Sequence, residues 1–282
     1  LPQFFTALGA GRAVPQIAPR FLRKMLPERT QAPGEPKYRV GFFSGCATEY
    51  IFPEIGQMMV DVLKDLDCEV IFDKRQGCCG APVYLSGDFR TGGKMARRNV
   101  EAFEQYDYVV TGCATCSSGL SEYPTYLAET PEEKERFQRF TAKVKDFNEF
   151  VIDVLAADLD RLELKPRFQG KTVTWHDPCH LARYQEIRTQ PRKILEALDG
   201  LEFVEMRDAD RCCGLGGSFS ITHYDVSKRI ADHKAEAITD SGADAVVTAC
   251  PGCMIQLRDA LSRHKLPVEV VHIGELFTIQ PT

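Results

Sequence analysis

A chain of 282 residues with 44% apolar and 27% charged side chains has the composition of an ordinary globular protein and is long enough for two cores. A formal charge of −5 offers no basic face for nucleic acid, and no apolar run reaches the ~18 residues that a membrane-spanning helix needs. Eleven cysteines in a chain that can build a large core argue against a disulfide framework and for a reducing, cytoplasmic setting.

Residues 1–36 form a leader broken by Pro2, Pro15, Pro19, Pro27, Pro33 and Pro36, which limit it to short helices. It carries the apolar pairs Phe4-Phe5 and Phe21-Leu22 among basic residues such as Arg12, Arg20 and Arg29. Two readings are open: an interdomain linker packing on something outside this chain, or an amphipathic patch that meets a partner subunit or a membrane surface.

A first domain is expected over 37–165. Residues 38–46 (YRVGFFSGC) read as a strand ending in small residues and a cysteine, followed by a helix at 54–66 and a strand at 68–72. After Cys78-Cys79-Gly80 come a helix at 89–106, a buried strand at 108–111, and Cys113-x-x-Cys116 opening another helix. Helices are also expected at 131–139 and 147–162. The second domain, 166–282, repeats the order: strand 172–175, Cys179, helix 191–198, strand 202–206, Cys212-Cys213-Gly214, helix 223–240, strand 245–248, then Cys250-x-x-Cys253. The fold class implied is α/β: two pseudo-symmetric Rossmann-like repeats with mostly parallel sheets, each carrying a CCG cysteine motif.

The cysteine spacings, C-x31-CC-x33-C-x2-C and C-x32-CC-x36-C-x2-C, are too long and too alike for coincidence. All ten residues (Cys46, Cys78, Cys79, Cys113, Cys116; Cys179, Cys212, Cys213, Cys250, Cys253) fall after strand carboxyl ends, where open α/β sheets bind ligands. Structural zinc takes four tetrahedral ligands, so five per repeat is one too many, although zinc at one site stays open. Soft thiolates in larger number suit an iron–sulfur cluster, and neither repeat has the C-x2-C-x2-C run of a common cubane. Gly45, Gly80, Gly112, Gly214, Gly216 and Gly217 are placed to bring backbone amides up to cluster sulfurs, or serve as turn glycines only.

Other residues carry weaker signals. His176 and His180 bracket Cys179 and either ligate or, more plainly, shape the loop and hydrogen-bond near a cluster. Cys68, outside the pattern, reads as a core residue. Gly214-x-Gly216 fails as a dinucleotide fingerprint because Phe219 stands at its third glycine, and Thr91-Gly92-Gly93-Lys94 lacks phosphate-loop spacing. Arg183, Arg188 and Arg192 read as a solvated helix face, with an anionic substrate or docked partner as the sharper alternative.

The stretches FFSGC (42–46), GCCGAP (77–82), HDPCH (176–180), CCGLGGSF (212–219) and CPGC (250–253) resemble the cysteine-rich CCG domain. That domain occurs twice in a heterodisulfide reductase subunit and in iron–sulfur subunits of glycolate oxidase, lactate-utilisation and anaerobic glycerol-3-phosphate dehydrogenase complexes. The resemblance spans roughly 38–275 and implies a noncubane [4Fe-4S] cluster at each complete set of five cysteines, with Gly80, Gly214, Gly216 and His180 beside them. It implies an electron-transfer subunit of an oxidoreductase complex that takes electrons from a flavin-containing 2-hydroxy-acid (lactate or glycolate) dehydrogenase subunit and delivers them to a quinone, a membrane partner or another carrier. A ferredoxin-like [4Fe-4S] domain is expected upstream or in another subunit, and association with the inner membrane face is expected only through partners. The alternative is a catalytic subunit that reduces a disulfide at a noncubane cluster, as in heterodisulfide reductase. No residue is assigned a catalytic role.

Overall fold

The computed structural model describes residues 12–280. Its strands are β1 (Arg29–Thr30), β2 (Tyr38–Phe42), β3 (Cys68–Ile71), β4 (Tyr108–Thr111), β5 (Val144–Asp146), β6 (Leu162–Leu164), β7 (Thr172–Trp175), β8 (Glu202–Phe203), β9 (Ala245–Thr248), β10 (Glu269–His272) and β11 (Phe277–Ile279). The first sheet runs β1-β3-β2-β4-β5 and the second β10-β9-β7-β8, with β6 and β11 paired separately. All pairs in the two large sheets are parallel except the short antiparallel edge pair β1–β3.

Continuous burial explains the central strands. Val40 to Phe42, Val109 to Thr111 and all four residues of β9 are buried, as strands covered by helices on both faces must be. The covering helices follow the expected rules. Pro53–Asp65 starts with proline at a first-turn position and buries Ile55, Met59, Val60, Val62 and Leu63. Phe89–Phe103 is capped by the Asp88 side chain accepting from Thr91 N. Tyr224–Asp240 and Pro251–Arg263 play the same part in the second sheet.

In both sheets the strand that opens the unit (β2 or β7) is central, its successor lies on one side, and the next strand lies on the other. The chain therefore reverses direction beside β2 and beside β7, which opens a crevice at the carboxyl ends of β2/β4 and of β7/β9.

Several expected elements differ. The 147–162 helix is only Phe147–Glu149 continued by a π-turn Phe150–Val154; Ala156 at φ 45° ends it, and Leu162–Leu164 leaves as a strand to pair with β11. The 202–206 strand is reduced to Glu202–Phe203 because β8 is the sheet edge with a partner on one side only. The described part of the leader packs on the chain's own body: β1 extends the first sheet, Leu22 and Leu26 are buried, Ala18 N donates to Tyr50 O at 2.8 Å, and Ala13 N donates to Asp259 Oδ1 at 2.7 Å. Phe4-Phe5 lies outside the described residues. Among the described residues no helix is long and apolar enough to cross a membrane.

At the end of β5, Asp146 is fully buried and caps the next turn, its Oδ1 accepting from Asn148 N at 2.8 Å, while Oδ2 has no partner among the described residues. Burial pushes its carboxyl up to about 7. An unfolded aspartate titrates near ~3.9, so folding favours the protonated form. The associated stability is complete below about pH 4 and is lost as pH rises to 7, by at most about 1.4 kcal/mol per pH unit. Asp146→Asn, which keeps the cap, is expected to flatten this slope; denaturant titrations at pH 5 and pH 8 would show it, and an unchanged difference would refute the assignment.

Candidate metal centre

Each motif cysteine follows a parallel strand's carboxyl end: Cys46 after β2, Cys78 and Cys79 after β3, Cys113 and Cys116 after β4, and in the same order Cys179, the pair Cys212 and Cys213, and Cys250 with Cys253 after β7, β8 and β9. The structure brings each set together at its crevice. In the first set Cys46 stands beside Cys78, Cys78 beside Cys79, Cys79 beside Cys116, and Cys116 beside Cys113, each thiol shifting its neighbour's ionisation. In the second the sequence is Cys179, Cys212, Cys213, Cys253, Cys250. The two sets also meet, because the buried Cys113 and Cys250 thiols are near enough to shift each other's ionisation. Ten thiols thus form one continuous row across the molecule.

The junction is held by backbone and side chains from both sheets. Ala114 N donates to Ala249 O at 3.1 Å, Thr115 Oγ1 lies 3.5 Å from Cys250 Sγ, and the buried His272 bonds Gly112 O through Nε2 at 2.8 Å. Gln185 Nε2 donates to Ser117 Oγ at 3.0 Å. Burial is graded along the row: Cys79, Cys113, Cys116, Cys213, Cys250 and Cys253 are buried, Cys78, Cys179 and Cys212 are half-buried, and Cys46 is exposed.

The two turns at the paired cysteines share one geometry. Gly80 (φ 85°) and Gly214 (φ 92°) adopt the left-handed conformation, which lets Gly80 N donate to Cys78 Sγ at 3.4 Å and Gly214 N to Cys212 Sγ at 3.3 Å. The Cys78 thiol is drawn down to about 2 by the neighbouring Cys46 thiol, then by Cys79 and the Gly80 amide; Cys212 is drawn down to about 2 by Cys179, Cys213 and Gly214 in the same way. Their partners Cys46 and Cys179 are pushed up, first by those neighbouring thiols and then by burial. Cys116 and Cys253 are held well above the usual thiol range by neighbouring thiols. Crowded thiols cannot ionise together without counter-charge, and bound metal ions provide it. Five soft donors per set, mostly dry, with the buried Lys234 the cation acting on Cys213 in the second set, fit an iron–sulfur cluster better than a four-coordinate zinc.

Gly45 (φ 69°) adds a steric requirement, since a Cβ there would sit 2.6 Å from Cys116 Sγ. Gly45→Ala is expected to cost about 1–2 kcal/mol from the left-handed backbone alone and to displace Cys116, lowering metal occupancy in the first set only. Metal content per chain beside the thermal midpoint checks both parts.

Residues outside the motif support the loops. Gln76 Oε1 accepts from Ser44 N at 2.9 Å while its Nε2 donates to Phe42 O at 3.1 Å, which ties the turn before Cys46 to the paired cysteines. Asn99 Nδ2 donates to Cys78 O at 3.0 Å, and Tyr123 Oη donates to Cys79 O at 2.8 Å. The sequence signal for Asn99 was a polar residue on the buried face of a helix, beside Ala96, Val100 and Phe103. In the second unit Ser227 Oγ donates to Gly214 O at 2.8 Å.

His180 faces the first unit, its Nδ1 3.1 Å from Ser118 Oγ and its ring stacked on Tyr184, and it is not hydrogen-bonded to a thiol. Gly216 sits in the turn where its carbonyl accepts from Phe219 N at 3.1 Å, again without a thiol hydrogen bond. Gly112 is required by packing: a Cβ would collide with the Met59 side chain. His176 is fully buried, and burial holds its imidazole down at about 3. The arginines are committed to ion pairs: Arg192 to Asp177 and Glu205, Arg183 and Arg188 to Asp210. Cys68 is buried, and burial pushes its thiol up to about 12.

Comparison with known proteins agrees with this geometry. The family model described as a cysteine-rich domain, CCG, matches residues 40–121 and again 173–258. A fumarate reductase (CoM/CoB) subunit of Methanothermobacter marburgensis is 36% identical over 268 residues, covering 94% of this chain and 50% of that protein. Lactate utilization protein A of an Exiguobacterium species is 34% identical, covering 84% of this chain and 96% of that protein. The probable glycolate oxidase iron-sulfur subunit of Bacillus subtilis is 34% identical, covering 92% of this chain and 56% of that protein. The chain therefore spans about half the length of two of these relatives and nearly all of the third. Two matched repeats, each with its five thiols gathered at a strand crevice, place the chain in the CCG cysteine-rich domain family.

Proposed function

We propose that this protein is an iron–sulfur electron-transfer subunit of an oxidoreductase complex, holding two noncubane [4Fe-4S] clusters, one on each set of five cysteines. The observation that carries this reading is the buried contact between Cys113 and Cys250, which makes two metal-binding sets neighbours. When bound, the clusters supply one-electron carriers. The chain's own part is to hold them close, keep water from six of the ten ligands, and donate the Gly80 and Gly214 amides to sulfur, which tunes potential. No acid–base residue is needed. The relatives' names include lactate utilization and glycolate oxidase, which supports a flavin-containing 2-hydroxy-acid dehydrogenase subunit as donor and a quinone or other carrier as acceptor. We place the protein in the cytoplasm, with membrane contact through partners.

A disulfide-reducing role would call for an open cavity beside the thiols. The exposed Cys46 and the half-buried Cys78, Cys179 and Cys212 are the thiols that a disulfide substrate would reach. Iron, acid-labile sulfide and zinc content of anaerobically purified protein tests the reading. About eight irons per chain, as two four-iron clusters require, is the expected result. One cluster's worth of iron with one zinc makes one set structural, and zinc alone overturns the proposal.

A further inference from the structure

The two sets of five thiols are alike in sequence but differ in their surroundings: Thr115 Oγ1 lies 3.5 Å from Cys250 Sγ and the buried Lys234 acts on Cys213, and the residue three before the first cysteine differs as well. Counting back three residues from the first cysteine of each set gives Phe43 and His176. The positions correspond in space as well: Phe43 N donates to Val110 O at 2.8 Å and His176 N donates to Val247 O at 2.9 Å, so each follows its central strand against the same neighbouring strand. Both side chains are fully buried. Phe43 is satisfied there, packed edge-on against Phe103 with ring centroids 5.8 Å apart. His176 is not: neither Nδ1 nor Nε2 has a hydrogen-bond partner among the described residues.

A ring nitrogen of His176 and the sulfurs of Cys213 and Cys253 all lie within 4.8 Å of one another. An imidazole always carries at least one N–H, and a buried N–H without an acceptor is destabilising. Among the described residues no hydrogen-bond partner relieves it, and the sulfurs of Cys213 and Cys253 stand beside it. Five cysteines already supply the ligands, which leaves the ring the role of donor.

We propose that His176 donates an N–H hydrogen bond to sulfur at the second centre and thereby raises its reduction potential above that of the first, where Phe43 can donate nothing. A hydrogen bond to sulfur stabilises the more negative, reduced state, and such bonds are among the main controls of cluster potential. The pair of centres is then polarised. An electron reaching the first set moves through the Cys113–Cys250 junction and rests at the second.

The inference rests on the reading that each set holds a cluster, and the test separates the two. Wild type, His176→Phe and His176→Gln are titrated potentiometrically under electron paramagnetic resonance, with iron measured on each sample. Wild type is expected to show two separate midpoints. His176→Phe, which gives the second set the first set's neighbour, is expected to lower one midpoint by about 59 mV, a tenfold loss in electron affinity for a one-electron couple, and to leave the other unmoved. His176→Gln keeps an N–H donor and is expected to restore most of the shift. Full iron with unmoved midpoints in His176→Phe overturns the role of His176 and leaves the cluster reading standing. Loss of one cluster's iron from both variants also overturns it, because the ring is then a ligand or a structural prop. If His176→Phe alone loses iron, the glutamine variant decides: a midpoint near wild type supports the donor role and one lowered tenfold refutes it. Wild type without iron refutes the cluster reading itself.

Discussion

Cys213→Ser is expected to leave the protein with about half its iron, roughly four atoms of eight, all of it in the first set. Cys213 is buried in the middle of its row, between Cys212 and Cys253. A serine oxygen there is a hard, weakly acidic donor in a dry pocket, and soft-metal sites select sulfur. On the proposed ligand set its loss removes one of five donors and breaks the path from Cys212 to Cys253, so the second set is not expected to close around a cluster. The first set shares no ligand with it and touches it only at Cys113–Cys250. Iron and acid-labile sulfide assays on anaerobic protein decide the matter: undiminished content would show that Cys213 is not a ligand.

The second large effect is on stability. Arg192 grips Asp177 with two hydrogen bonds, Nη1 to Oδ1 at 3.1 Å and Nη2 to Oδ2 at 2.9 Å, and Trp175 Nε1 donates to Oδ1 at 2.7 Å. Asp177 is only 2% exposed and stands between His176 and the Pro178-Cys179 turn. In Arg192→Ala the carboxylate stays buried without its cation, beside a set of thiols that also carries negative charge. Breaking such a pair costs about 3 kcal/mol, which is on the order of 6–10 °C in Tm for a chain of this size. Asp177→Asn in the Arg192→Ala background is expected to recover much of that loss, because the uncompensated charge is gone. A double-mutant cycle by thermal unfolding measures it; strictly additive losses would mean the pair is not coupled.

Much of this was legible in the residues. The central strands could be located from short apolar runs such as 108–111 and 245–248, because parallel strands covered on both faces have no polar side to hide. The ten thiols could be located from spacing, and the α/β alternation already put them after strand ends. Weaker elements were not legible. β5, β6, β10 and β11 are three or four residues long, and their pairing depends on where remote strands arrive; β11 meets β6 across more than a hundred residues of chain. The helix expected over 147–162 has the right apolar period but is ended by the backbone at Ala156, which no side-chain pattern announces.

The junction between the two sets was hidden for the same reason. It depends on how two sheets abut, and the groups that hold them, His272 on Gly112 and Gln185 on Ser117, lie far apart in sequence and outside any motif. The arginines after HDPCH looked available from sequence because their acidic partners, Asp177, Glu205 and Asp210, are brought up by loops. His176 was visible as a residue near a ligand, but its unpartnered ring nitrogens are a fact of packing.

The two five-cysteine sets are proposed to be adjoining redox centres, with Cys113 and Cys250 as neighbours at their junction. Electron paramagnetic resonance of the same anaerobic sample at half and at full reduction tests it most directly. Two centres this close must interact, so the fully reduced spectrum is expected to be broadened or split relative to the sum of the separate signals. A fully reduced spectrum that is the plain sum of two independent signals, or that shows one cluster only, would mean that the two sets are not adjoining redox centres.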